Sequence, residues 1–191
     1  LAGKRILFLG AGGAVRAARW LATQEESWRA DRAASVVEQK REHRFADIGF
    51  TLTGKPDRID RLKSGGIRVI DYKTGGIPST RQIEAFMAPQ LPLLAAMARA
   101  GAFGPEVAAE PVDLVYVQLG GGKKEGDTKR LPDPAGLTDA LEARLTQQVR
   151  RYDDPATPYP PRVAVEKQRY AGDYDHLSRF DEWGEAAENG V

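Results

Sequence analysis

The chain has 191 residues, charged residues in near balance (formal net charge +1), two histidines and no cysteine. That length suits one domain with a substantial core, and a balanced total leaves any preference for an anionic partner to local patches. The absence of cysteine excludes disulfides, thiol catalysis, zinc–cysteine sites and iron–sulfur clusters. No apolar run reaches the length of a membrane span and no leader pattern is present, so the expectation is a cytoplasmic protein with no membrane association. The start at Leu1 and the small, polar run from Gly184 to Val191 read as a piece of a longer protein.

In chain order, Lys4 to Gly10 is an apolar run ending in glycine. Gly10-Ala11-Gly12-Gly13-Ala14-Val15 follows, a turn of the kind that lets a pyrophosphate approach a helix N-terminus. Residues 1–16 are therefore set apart as a Gly-rich segment, with the main domain running over 17–191. Val15 to Asp31 has helical spacing with Trp20 and Trp28 included. Ala34 to Phe45 and Ile48 to Leu62 read as two successive strands. Lys63-Ser64-Gly65-Gly66 is a turn, and Ile67 to Tyr72 is a β-branched central strand. Thr74 to Thr80 is a loop, Arg81 to Met87 a short helix, and Gln90 to Ala100 a helix that tolerates Pro92 in its first turn. Val112 to Leu119 is a further strand, Gly120 to Pro134 an exposed loop and Leu137 to Tyr152 a helix. The proline-rich Asp153 to Pro161 is extended, and Tyr170 to Trp183 forms a terminal helix. Together these predict an α/β fold with a central mixed sheet flanked by helices.

The chemistry concentrates between Gly54 and Gly75. Side chains alternate along a strand, so Asp71 and Lys73 share a face. A hairpin centred on Ser64 puts Asp57 opposite Asp71, and a one-residue slip would separate them. Opposed carboxylates repel unless a cation bridges them. Hard oxygen ligands without thiols select magnesium, with manganese the alternative. Such an ion polarises a phosphodiester and acidifies a bound water, with Lys73 orienting that water or stabilising charge on the phosphate. Arg58, Arg61, Lys63, Arg68 and Arg81 are candidate phosphate contacts. The competing reading of the same acids is a solvated sheet surface of ordinary ion pairs.

Gly54-x-x-Asp57-Arg58-Ile59-Asp60, then Ile70-Asp71-Tyr72-Lys73-Thr74-Gly75, then Ala88-Pro89-Gln90-Leu91-Pro92-Leu93, resembles the RecB type of PD-(D/E)xK nuclease domain. Tyr152 to Tyr159 and Gly172 to Leu177 resemble a narrower group, the C-terminal domain of the AddB subunit in alphaproteobacterial AddAB helicase–nucleases. The resemblance implies a restriction-endonuclease-like fold and magnesium-dependent cleavage of DNA in double-strand-break repair, with an AddA-like subunit as partner. It makes Asp57, Asp71 and the Tyr72 backbone carbonyl metal ligands and Lys73 the catalytic lysine. Gln90 becomes a supporting or DNA-contacting residue, with Arg58 and Arg81 at the DNA. The chain departs from the pattern upstream, where a helix should carry a histidine or glutamate completing the metal site. No histidine precedes His43, which leaves Glu25 and Glu26 as substitutes. Two other readings remain: a nuclease-fold module that binds DNA or acts as a scaffold without cutting, and an NAD(P)-binding oxidoreductase fragment built on the glycine turn.

Overall fold

A computed structural model describes residues 11–120 and 125–158. The chain divides into two units, residues 1–150 and 151–191. In the second, the described residues 151–158 close a helix and a turn, with the Arg151 guanidinium 5.5 Å from the Tyr152 ring centre and the Thr157 hydroxyl donating to the Arg151 carbonyl at 2.6 Å.

The elements are α1 (Ala11–Asp31), β1 (Arg32–Val37), β2 (Arg41–Phe45), β3 (Phe50–Gly54), β4 (Arg58–Leu62), β5 (Ile67–Lys73), α2 (Thr80–Glu84), α3 (Gln90–Arg99), β6 (Pro111–Leu119), β7 (Gly126–Arg130) and α4 (Pro134–Asp153). Five strands form one sheet in the order β1-β4-β5-β6-β7, and β2 and β3 form a separate ribbon. The β5–β6 pair is parallel and its neighbours antiparallel, so the sheet is mixed, as the sequence predicts.

β5 lies at the centre because Ile67 through Tyr72 can be buried on both faces. On one side Ile67 and Val69 pack with Ile59, Leu114 and Tyr116 against Leu91, Leu94 and Met97 of α3 and Leu141 of α4. On the other, Ile70, Val115 and Val117 pack under Trp28, with Trp20 and Leu21 of α1 beside them. α3 is buried from Leu91 to Ala98, which is why its sequence is apolar nearly all round. Among the described residues no helix is long and apolar enough to cross a membrane.

The structure corrects four element assignments. The strand expected over Ala34 to Phe45 breaks at Glu38, whose φ of 49° turns the chain and whose N–H donates to the carbonyls of Pro56 (3.1 Å) and Asp57 (3.3 Å). The strand expected over Ile48 to Leu62 breaks at the same place from the other side, between Gly54 and Arg58, where Pro56 has no N–H for a ladder. Both breaks lie at the base of the β2–β3 ribbon. The Gly120 to Pro134 segment contains β7, whose polar sequence hid an edge strand paired to β6. Asp153 ends α4 rather than opening an extended run. α1 also runs without interruption across the division drawn between residues 16 and 17. The strand-like Arg5 to Leu9, Gly10 and the tail with His176 and Trp183 lie outside the described residues.

Gly54 serves close packing. A Cβ there would sit 2.7 Å from Met97 Sδ and 2.8 Å from Leu94 Cδ2 of α3. Gly54→Ala is expected to destabilise the fold by about 1–3 kcal/mol through overpacking, read by urea denaturation. An unchanged midpoint would show that α3 yields freely there.

Candidate active site

The β4–β5 ladder pairs Arg58 with Ile70, Ile59 with Val69, Asp60 with Arg68 and Arg61 with Ile67. This is a hairpin centred on Ser64, and continuing the register by one residue sets Asp57 opposite Asp71. Asp57 lies just before β4. Its Oδ2 accepts the Tyr72 backbone N–H at 2.8 Å, beyond the last ladder pair, which fixes the carboxylate against the catalytic-candidate strand. Asp71 is 2% exposed, and Lys73 Nζ lies 2.8 Å from its Oδ2 with the lysine side chain reaching solvent.

Tyr116, overlooked in the sequence, forms the floor of this group. It pairs with Asp71 in the β5–β6 register, and its ring centre is 5.9 Å from Lys73 Nζ. Burial, and next the Asp71 charge, push its phenol up to about 12, so it stays a neutral ring under the ammonium. The alternation of β6 separates Tyr116 from its neighbours, and the β5–β6 register assigns it to the Asp71 face.

The opposite face of the sheet holds a buried ion network. Arg58 is 6% exposed; its Nε and Nη2 donate to the Asp60 oxygens at 2.7 and 2.5 Å, and its Nη1 donates to Glu25. Asp60 is fully buried and also accepts from the Ser35 hydroxyl at 2.7 Å. Arg68 bonds Asp31 and Asp113 at 2.7 and 2.8 Å. Trp28 lies between the two guanidiniums, 5.8 Å from Arg58 and 5.9 Å from Arg68. Arg58, expected at the DNA, is thus enclosed between α1 and the sheet, because it points to the face opposite Asp71. Arg81 and Gln90 are exposed, Arg81 on α2 and Gln90 at the start of α3. Gln90 shares a small cavity with Lys55 and Gly54.

Glu25 belongs to the ion network, accepting from Arg32 at 2.9 Å as well as from Arg58, and Glu26 is exposed. A larger cavity of about 620 Å³ lies between α1 and β1, lined by Leu21, Val37, Glu38, Asp57 and Tyr72 among others. Glu38, also missed in the sequence, reaches this region from the strand break and pairs with Lys55 at 3.2 Å.

Among the described residues no cluster of three or more histidines and carboxylates is assembled. The donor set that the sequence resemblance implies is Asp57, Asp71 and the Tyr72 carbonyl. That set fits magnesium, which commonly takes one or two carboxylates, retains water and completes its shell with substrate phosphate.

The network also sets an acid limit on stability. Burial alone would raise the Glu25 carboxyl, but Arg58 and Arg32 outweigh it and hold it below its ordinary 4.5. A hydrogen bond from Arg68 lowers Asp31 from its ordinary 3.8, against a smaller opposing effect of burial. Both groups have depressed values when folded, so their stabilisation is full above the unfolded values and is lost as pH falls through the folded ones. Thermal midpoints should therefore decline below about pH 5, and Glu25→Gln should flatten part of that decline. An identical acid limb in the variant would remove Glu25 from the explanation.

The sequence pattern of the PD-(D/E)XK nuclease superfamily matches residues 7–164, taking in every strand described above. An uncharacterised protein of Rickettsia conorii is 43% identical over 56 residues, covering 28% of this chain and 7% of that protein. One from Rickettsia typhi is 43% identical over 47 residues, 25% of this chain and 5% of the relative. The matched stretches thus span under a tenth of the length of these curated relatives. With the family pattern covering most of the chain and a central mixed sheet flanked by helices, this chain belongs to the PD-(D/E)XK nuclease superfamily.

Proposed function

We propose that this chain is a metal-dependent deoxyribonuclease domain that hydrolyses phosphodiester bonds. The observation that supports the reading is the β4–β5 register, which when continued by one residue brings Asp57 opposite Asp71, with Lys73 2.8 Å from Asp71 Oδ2. Asp57, Asp71 and the Tyr72 carbonyl would hold magnesium, or manganese in its place. When bound, such an ion supplies Lewis-acid polarisation of the phosphate and a more acidic water. Lys73, anchored by Asp71 and lying over the Tyr116 ring, offers an oriented positive charge to the phosphate and a donor to the attacking water. Gln90 and Arg81 are exposed where a strand could meet them, and Arg58 acts in this reading as an internal brace. The wider role is double-strand-break repair in the cytoplasm, within an AddAB-like helicase–nuclease that includes an AddA-like subunit. It is supported by the motif set and by the Tyr152 to Tyr159 run.

A second reading, a DNA-binding or scaffolding module without catalysis, is favoured by one observation: Glu25, the nearest substitute for the upstream ligand, is committed to Arg58 and Arg32. The oxidoreductase reading has less support, since Ala11 to Ala14 form the first turn of α1 and Gly10 lies outside the described residues. The deciding experiment is cleavage of linear single- and double-stranded DNA with magnesium or manganese, wild type beside Asp71→Ala and Lys73→Ala. Cleavage lost in both variants supports the nuclease. Magnesium binding that depends on Asp71 without cleavage supports the inactive module, and neither activity nor binding removes the catalytic reading.

A further inference from the structure

Of the strand arginines that the sequence offers to a phosphate, Arg58 and Arg68 are buried and bonded to carboxylates, and Arg61 is half-buried and donates to the Ala108 carbonyl at 3.2 Å. Exposed cations collect on the β2–β3 ribbon instead. Residues 39–55 hold four cations, Lys40, Arg41, Arg44 and Lys55, against two carboxylates, Glu42 and Asp47. Lys40, Arg41 and Arg44 are exposed, and none forms an ion pair among the described residues. The Arg41 guanidinium bonds only neutral oxygens, the Lys40 carbonyl at 3.1 Å and Gln39 Oε1 at 2.8 Å. Asp47 faces Arg150 at 3.4 Å, which leaves Glu42, near the Thr53 hydroxyl at 3.5 Å, as the one carboxylate on the solvent face without a cation.

The ribbon is held in a fixed pose. Phe45, Phe50 and Leu52 seat one face on the core beside α3, while Glu42, Arg44, Thr51 and Thr53 occupy the other. Both of its ends enter the site. β2 follows Glu38, whose N–H is bonded to the carbonyls of Pro56 and Asp57, and β3 runs through Gly54 and Lys55 into Asp57. Arg44 stands on the solvent face, while Arg41, three residues earlier and paired with Gly54, turns to the other face, so the two exposed guanidiniums flank β2 rather than line one side of it. Threonine hydroxyls are further phosphate donors.

We propose that the β2–β3 ribbon is a nucleic-acid arm: Lys40, Arg41 and Arg44 grip the phosphates of the strand whose scissile bond is delivered to Asp57, Asp71 and Lys73. The delivery half of this statement rests on the nuclease reading. The grip is electrostatic and independent of sequence, because a ribbon presenting arginine, lysine and threonine to the backbone reads charge rather than base edges.

The test is fluorescence anisotropy with labelled single- and double-stranded oligonucleotides over a salt series, without divalent metal, beside cleavage assays with magnesium. The variants are the triple Lys40→Ser, Arg41→Thr, Arg44→Thr, and the charge-keeping double Arg41→Lys, Arg44→Lys. Thermal unfolding checks that each is folded. The triple variant should bind at least about tenfold more weakly, with the slope of log affinity against log salt reduced by about 2 to 3, while the double retains most of the slope. The KM for cleavage should rise in the triple variant with the weakened binding. A triple variant with wild-type affinity and slope overturns the arm; if the wild type also cleaves, the nuclease reading survives. A wild type that binds through these residues but does not cut leaves the arm standing and removes the nuclease.

Discussion

Asp71→Asn is expected to lower metal-dependent cleavage by about a thousandfold or more, the scale associated with removing a principal charge-stabilising group, while leaving the fold at least as stable as the wild type. Asp71 is 2% exposed and lies opposite Asp57 in the continued β4–β5 register, so the wild type holds two carboxylates facing each other, one of them shut from water. Such opposition is unfavourable in a hairpin. The amide keeps the shape of the carboxylate and can still accept from Lys73 Nζ, which now lies 2.8 Å from Asp71 Oδ2. Removing the charge therefore relieves repulsion without opening a cavity. Single-turnover cleavage and thermal melts in chelator read the two halves separately. A variant with wild-type activity would take Asp71 out of the chemistry. One that loses activity and stability together would make it a folding residue instead.

The second large effect concerns stability alone. Asp60→Ala should cost about 3 kcal/mol or more, because it strips a fully buried carboxylate from a buried guanidinium. Arg58 would retain Glu25 but lose two close bonds, and the Ser35 hydroxyl would lose its acceptor. The companion double variant Arg58→Met, Asp60→Leu should recover much of the loss, since an apolar pair of similar volume avoids desolvating two ions. Urea denaturation at neutral pH measures both. A loss under 1 kcal/mol for Asp60→Ala would mean that Glu25 alone neutralises Arg58.

Where the sequence was readable, it was so for physical reasons. The run Ile67 to Tyr72 admits no exposed face, so its central place in the sheet follows from composition. The turn at Ser64 to Gly66 fixes the hairpin centre and with it the partner of every β4 residue. α3 declares itself through Pro92 in a first turn and an apolar sequence. The ribbon was not readable, because β2 and β3 carry mixed polar residues and merge with their neighbours unless the chain is seen to reverse at Glu38. β7 was hidden for the reason it works as an edge: Asp127, Lys129 and Arg130 make it look like loop. The roles of the arginines were equally opaque. Alternation gives a residue's face, but only the packing of α1 reveals that the Arg58 face is closed. Tyr116 required the parallel β5–β6 register, a pairing between segments far apart in the chain that no local pattern encodes.

That same parallel pairing bears on when the site comes into being during synthesis. The β4–β5 hairpin can close as soon as Lys73 is available, but it then brings Asp57 and Asp71 together with one flank of β5 open to water. The other flank is covered only after the whole α2–α3 crossover and β6 have followed. Tyr116 arrives with β6, so the lysine has no ring beneath it until that late docking. Chain-growth order and contact order thus combine to cover the second flank of the acidic strand only after β6 has been made. Stalled chains ending before Pro111 should leave the β5 amides exchanging rapidly with solvent, and those extending past Arg130 should protect them. Newly made polypeptide would in this way bring Asp57, Asp71, Lys73 and Tyr116 together only once β6 has docked.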